Sequence, residues 1–213
     1  PPIKVKWYFN TITEIMNIFV LSLDPEECAK MHVDRHVVKM IVEYAQIMST
    51  IHRYLDGSPT LVEGTVNGKS KSKTFYLLNG ESCSVIDDEF VIANQKCYKM
   101  THKHHPCVLW ATQSSENYKW LYTLFSELVK EYKFRYGKTH NTWTILGKWL
   151  ANVPMNIKVG PLTKFALAMP EEYKTDDVVS AYRNYIIGAK PHLLMWKGRT
   201  YLSKMSAIAP TWS

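Results

Sequence analysis

Apolar side chains return every three or four positions between Val37 and Ile51: Val37, Val38, Ile41, Val42, Ala45, Met48 and Ile51 fall on one stripe. That spacing predicts an amphipathic helix. Asp24 is placed to cap it, Pro25 suits the first helical position, and Glu26 and Glu27 complement the positive end of the dipole. The apolar face runs to about Tyr54, and Asp56-Gly57 ends it. Ahead of this helix, Asn17 to Leu21 is a short apolar run that suits a strand or an extended lead-in. Residues 1–15 read as an extension before a natural start at Met16.

The pattern changes after Gly57. Residues 57–100 carry β-branched residues and two Asn-Gly pairs, Asn67-Gly68 and Asn79-Gly80, which signal hairpins. The stretch from Ser84 to Met100 suits strand or helix. Helical spacing returns with Trp120, Leu121, Leu124, Phe125, Leu128, Val129 and Tyr132, capped by Ser114 or Ser115 and ended by Gly137. Asn141 to Val153 reads as a shorter helix broken by Pro154. Residues 152–172 read mostly as loop. Thr175 is placed to cap a last helix closed by Gly188, and the tail holds Trp196 and Trp212. The expected fold is all-α: a single, mainly helical domain over 16–213 with a small β-hairpin or loop insertion at about 57–100.

Charge narrows the partners. Across 213 residues, 26 Lys and Arg face 19 Asp and Glu, for a net charge of +7. A basic surface favours a polyanion: nucleic acid, nucleotide or anionic membrane. No apolar run is long enough to span a membrane and no signal peptide is seen, which points to a cytoplasmic protein. Cys28, Cys83, Cys97 and Cys107 show no C-x-x-C spacing and read as reduced thiols. The phosphate-loop, dinucleotide-binding and nucleophile-elbow patterns are absent, against kinases, dinucleotide enzymes and serine hydrolases of the usual kinds.

Three clusters carry candidate chemistry. On one continuous helix, His32, His36, Lys39 and Glu43 would share a face, with Asp34 and Arg35 beside it. A carboxylate among basic groups is acid–base equipment; the plain alternative is a solvated face with helical ion pairs such as Lys39–Glu43. His32 and His36 have the i, i+4 spacing of a zinc helix, with His102, His104 or His105 as a third ligand, but the glutamate of that motif is missing. No metal and no cofactor is therefore expected. The second cluster is the turn around His105-Pro106, with Lys103 and Trp110 nearby; its plain reading is a helix cap. The third is the basic, aromatic helix end formed by Lys133, Arg135, Tyr136, Lys138 and His140, suited to phosphate contact or simply to the helix dipole.

Residues 16–40 and 102–140 resemble a group of small phage-encoded helical proteins and, more distantly, the pyrimidine dimer DNA glycosylase (phage endonuclease V) family. Matched that way, His32 falls on an early helix histidine, His105-Pro106 on a turn, and the helix ending in Arg135-Tyr136-Gly137 on the second long helix. The resemblance implies an all-helical protein that binds double-stranded DNA. It also implies a glycosylase with lyase activity, using an N-terminal α-amine as nucleophile and a helix glutamate to steer the chemistry. The place of that glutamate falls near Lys39, with Glu43 one turn on; Lys39 is itself an amine able to form an imine once desolvated.

The leading expectation is a phage-type DNA glycosylase/lyase acting on a flipped pyrimidine. Catalysis would lie with His32, His36, Lys39, Glu43 and His105. DNA contact would lie with Arg35, Lys103, Trp110, Tyr118, Lys133, Arg135, Tyr136, Lys138 and His140, with Trp110 or Tyr118 as wedge or stacking ring. The alternatives are a transferase acting on modified pyrimidines in DNA, or a non-catalytic nucleic-acid-binding protein associated with the virion and other phage proteins.

Overall fold

In the computed structural model, which describes residues 16–199, the expected first helix is two helices. α1 spans Pro25–Met31 and α2 spans Asp34–Asp56. Asp24 caps α1, its carboxylate accepting the Glu27 N–H at 2.8 Å. The break follows from one side chain. A continuing helix would pair the Cys28 carbonyl with the His32 N–H. Instead the His32 ring takes that carbonyl through Nδ1 at 2.7 Å, and the His32 N–H turns to the Ala29 carbonyl. His32 and Val33 are both extended and buried. His32 therefore leaves the helix, and the expected four-residue face is corrected to the α2 residues alone.

α3 (Pro106–Thr112), α4 (Ser115–Tyr136) and α5 (Asn141–Leu150) pack on α2, and α1 lies along α4. Ser114 caps α4 through the Asn117 N–H, and Gly137 ends it at φ 69°, a left-handed position that favours glycine. Val37, Ile41, Met48 and Ile51 from α2 meet Leu121, Leu124, Phe125 and Leu128 from α4 in the main core, all fully buried. Each such side chain contributes about 1.5–3 kcal/mol by leaving water.

The insertion is two antiparallel hairpins: β1 (Ser58–Val66) with β2 (Lys69–Leu77), and β3 (Ser82–Ile86) with β4 (Glu89–Ala93). Asn67-Gly68 turns the first, with φ of 51° and 70°. Asn79-Gly80 joins the two hairpins rather than turning one, and Asp87-Asp88 turns the second. A small separate core of Val62, Phe75, Leu77 and Ile92 holds them. Their root is the Arg53 guanidinium on α2, which grips both Glu81 oxygens at 2.7 and 3.0 Å and the Tyr76 and Cys97 carbonyls.

Beyond α5 the chain runs without regular structure until a short 3₁₀ turn (Glu171–Tyr173) and α6 (Val178–Ala189). The cap of α6 is Asp177, not Thr175: Asp177 accepts the Ser180 N–H at 2.8 Å, whereas Thr175 bonds back to the Asp177 carbonyl. Residues 195–199 then cross the α1–α2 junction, where the Asp34 N–H bonds the Met195 carbonyl and the Trp196 indole bonds the Met31 carbonyl. The expected 1–15 extension and Trp212 lie outside the described residues.

Candidate active site

α2 sets Lys39 and Glu43 one turn apart on the side where the lead-in segment crosses. Glu43 is buried, and its two oxygens face two nitrogens: Lys39 Nζ lies 3.0 Å from Oε1, and the Asn17 backbone nitrogen lies 3.3 Å from Oε2. Lys39 itself is about 39% exposed along its side chain, so the pair stands at the edge of the core. A carboxylate with one side to an amine and the other to the interior can take or return a proton beside a reacting atom.

Asn17 is held from all sides. Its amide nitrogen donates to the Ala168 carbonyl at 2.7 Å, and its side-chain oxygen accepts the Ile18 N–H at 2.8 Å. The Tyr182 hydroxyl of α6 lies 3.0 Å from that oxygen, and the Cys107 thiol at the start of α3 lies 3.5 Å away. Burial pushes the Cys107 thiol up to about 12 and raises the Tyr182 hydroxyl well above its ordinary value. Both stay protonated at neutral pH.

His36 on α2 and His32 at the α1–α2 break stand on its inner side. His36 is buried and stacks on Phe19, ring centroids 4.3 Å apart; Phe19 in turn lies parallel to Tyr185 at 6.3 Å. His32 is 6.3 Å from His36 and binds the Tyr44 hydroxyl through Nε2 at 2.9 Å. Burial pushes His32 down to about 4, so it is a neutral link between α1 and α2. His105 caps α3, its Nδ1 accepting the Cys107 N–H at 3.2 Å; burial, then the neighbouring His102, lowers its pKa. Cys107 thus connects His105 to the Asn17 side of the site. No group of three or more His, Cys, Asp and Glu converges as a metal site among the described residues.

The sequence-predicted DNA contacts divide. Arg35, Lys133 and Lys138 are exposed. Lys103 lies over the Tyr54 and Tyr76 rings. His140 caps α5 by accepting the Thr142 N–H, and burial and then Lys138 lower its pKa. Tyr136 is half-buried, its hydroxyl 3.3 Å from the Asp34 carbonyl oxygen. Arg135 is buried instead: its guanidinium bonds Glu131 at 2.8 Å, Asp34 at 2.8 Å and the Lys30 carbonyl at 2.9 Å. That cluster ties α4 to both ends of the α1–α2 break, and it corrects Arg135 from a phosphate contact to a structural tie. Burial disfavours the Glu131 charge, but hydrogen bonds from Arg199 and Arg135 outweigh it and hold its carboxyl below the usual range. Trp110 and Tyr118 are likewise core residues. Trp110 stacks on Phe165, and the Tyr118 hydroxyl bonds the Leu150 carbonyl, which leaves neither ring free to wedge a duplex.

Asn17, Phe19, Cys107 and Tyr182 were missed as site residues. Asn17 was legible only as the one polar residue opening an apolar run; the other three look like ordinary core residues, and Tyr182 comes 165 residues after Asn17.

Among the described residues no helix is long and apolar enough to cross a membrane. No curated protein and no solved structure matches the chain. The model of the pyrimidine dimer DNA glycosylase family matches residues 16–145, from the lead-in beside Glu43 to the middle of α5. That is well over half of the sequence and takes in Asn17, Lys39, Glu43 and His105. The chain belongs to the pyrimidine dimer DNA glycosylase family.

Proposed function

We propose that this protein removes a pyrimidine flipped out of double-stranded DNA and then opens the strand at the same sugar. Glu43 handles the proton and an amine beside it is the nucleophile. The observation that carries this reading is the buried Glu43 carboxylate between Lys39 Nζ and the Asn17 nitrogen. Base flipping is what brings the sugar of a duplex within reach of such a site.

Lys39 gives a proton to Glu43 and its lone pair attacks C1′ of the sugar. The bond from C1′ to the base breaks, and the base leaves with the electron pair and takes up the proton released by the alkylated amine. The C1′–O4′ bond then opens to an iminium as Glu43 passes the proton it took from Lys39 to O4′, which restores the carboxylate. Loss of a C2′ proton to the carboxylate expels the 3′ phosphate, and water releases the amine. In a chain whose first residue is Asn17, the nitrogen at Oε2 would be an α-amine placed for the same attack.

Borohydride reduces the imine to a stable bond. A protein–DNA adduct on duplex carrying an ultraviolet pyrimidine dimer, with none on undamaged duplex, supports the reading. Peptide mapping is expected to place the adduct on Lys39. Strand retention with no adduct overturns it.

A further inference from the structure

We infer that the loop between α5 and α6 is a rigid apolar wedge for a DNA base step, with Val159 as its point and Met155 behind it. Val159 and Met155 are each 87% exposed, and Leu162 is 45% exposed. Exposed apolar side chains are common on protein surfaces, but the segment that carries these is firmly held. The Met155 and Asn156 N–H groups donate to the Asp56 carboxylate at 2.9 and 3.0 Å. On either side of Val159, the Lys158 carbonyl accepts the Ser115 N–H at 2.9 Å and the Gly160 carbonyl accepts the Glu116 N–H at 3.3 Å. Ser114 bonds the Pro161 carbonyl and Asn117 accepts the Thr163 N–H at 2.8 Å. The fold thus spends six hydrogen bonds on presenting three apolar side chains to solvent.

Charge identifies the partner. Residues 132–170 contain no Asp or Glu and, besides the buried Arg135, carry Lys133, Lys138, Lys148, Lys158 and Lys164. Lys158 and Lys164 are exposed and flank the apolar tip. An apolar point between cations fits a duplex, where phosphates meet the lysines and the apolar group enters between bases. Val159 is β-branched and stiff, which suits a wedge. The same loop leads into the site: Phe165 stacks on Trp110, and Ala166 and Ala168 bond the Tyr182 hydroxyl and the Asn17 amide. Ala166 comes seven positions after Val159, a reach of at most about 25 Å.

The inference rests on the DNA-glycosylase reading for its duplex, and its test separates the two. The probe is a dimer-containing duplex with 2-aminopurine beside the lesion, whose fluorescence rises when its stacking is lost. Wild type is compared with V159S/M155S, both positions being too exposed to threaten folding. The expected result is a fluorescence rise on wild-type binding, most of it lost in the variant. Excision at saturating enzyme slows roughly 10- to 100-fold, while affinity for undamaged duplex stays within about threefold because phosphates dominate it. Equal fluorescence and equal excision by both proteins would overturn the wedge and leave the glycosylase intact. A Val159-dependent rise with neither a borohydride adduct nor base release would support the wedge and remove the glycosylase. Absence of duplex binding by wild type would overturn both.

Discussion

The Asn17 backbone nitrogen and the Glu43 carboxylate meet 3.3 Å apart in the interior, on the side of the carboxylate opposite Lys39. Glu43 therefore has one oxygen for an amine at the surface and one for the lead-in segment. Replacing Glu43 with Gln keeps the shape and removes the proton acceptor. Excision by E43Q in single turnover is expected to fall roughly 10²- to 10⁴-fold, with duplex affinity nearly unchanged. A variant that binds and cuts as wild type would make the pair structural.

Acid should destabilise the fold before carboxylates titrate. Burial lowers both His32 and His52 from the ordinary 6.5 to about 4. Between those values the unfolded chain binds more protons than the folded one, so stability rises with pH there. It is fully present above about 6.5 and lost as pH falls towards 4. For the fully buried His32 this amounts to about 3 kcal/mol. Urea midpoints taken from pH 7 to 4.5 check it, and H32Q should flatten the slope.

Two basic residues two positions apart on α4 should behave oppositely. R135A removes a buried cation from Glu131 and Asp34, which keep Arg199 and the Lys197 N–H as partners, and should cost about 1–3 kcal/mol of stability. Lys133 and Lys138 are exposed, and K133Q/K138Q should leave stability unchanged. That pair should lower the slope of log affinity against log salt by about 2 on any duplex. Thermal melts and salt titrations separate the two effects.

Arg53 and Glu81 root the hairpins with side chains 1% and 0% exposed. Burial opposes the Glu81 charge, but Arg53 and the Lys96 and Leu78 N–H groups outweigh it and hold its carboxyl below the usual value. R53A should cost about 3–5 kcal/mol, with amide exchange in β1–β4 rising first.

Much of this architecture was legible where local chemistry decides it. Ser114 and Gly137 bound α4, Asn67-Gly68 turns its hairpin, and the insertion begins one residue after Gly57. The break at His32 was not legible, because it depends on Tyr44 and a buried ring rather than on a helix-breaking residue. Arg135 looked like surface charge because one of its two acidic partners, Asp34, lies 101 residues away on α2, while the other, Glu131 on α4, is shared with Arg199. Lys39 and Glu43 were picked out by spacing alone. The residues that complete their surroundings are far apart in sequence and carry no pattern of their own.

The most direct measurement is borohydride trapping on duplex with and without a single pyrimidine dimer, using wild type, K39R and E43Q, followed by peptide mapping. The expected result is a wild-type adduct on dimer DNA alone, mapped to Lys39, and its near loss in E43Q. Retarded duplex with no adduct and no strand break in any sample would contradict an amine nucleophile beside Glu43.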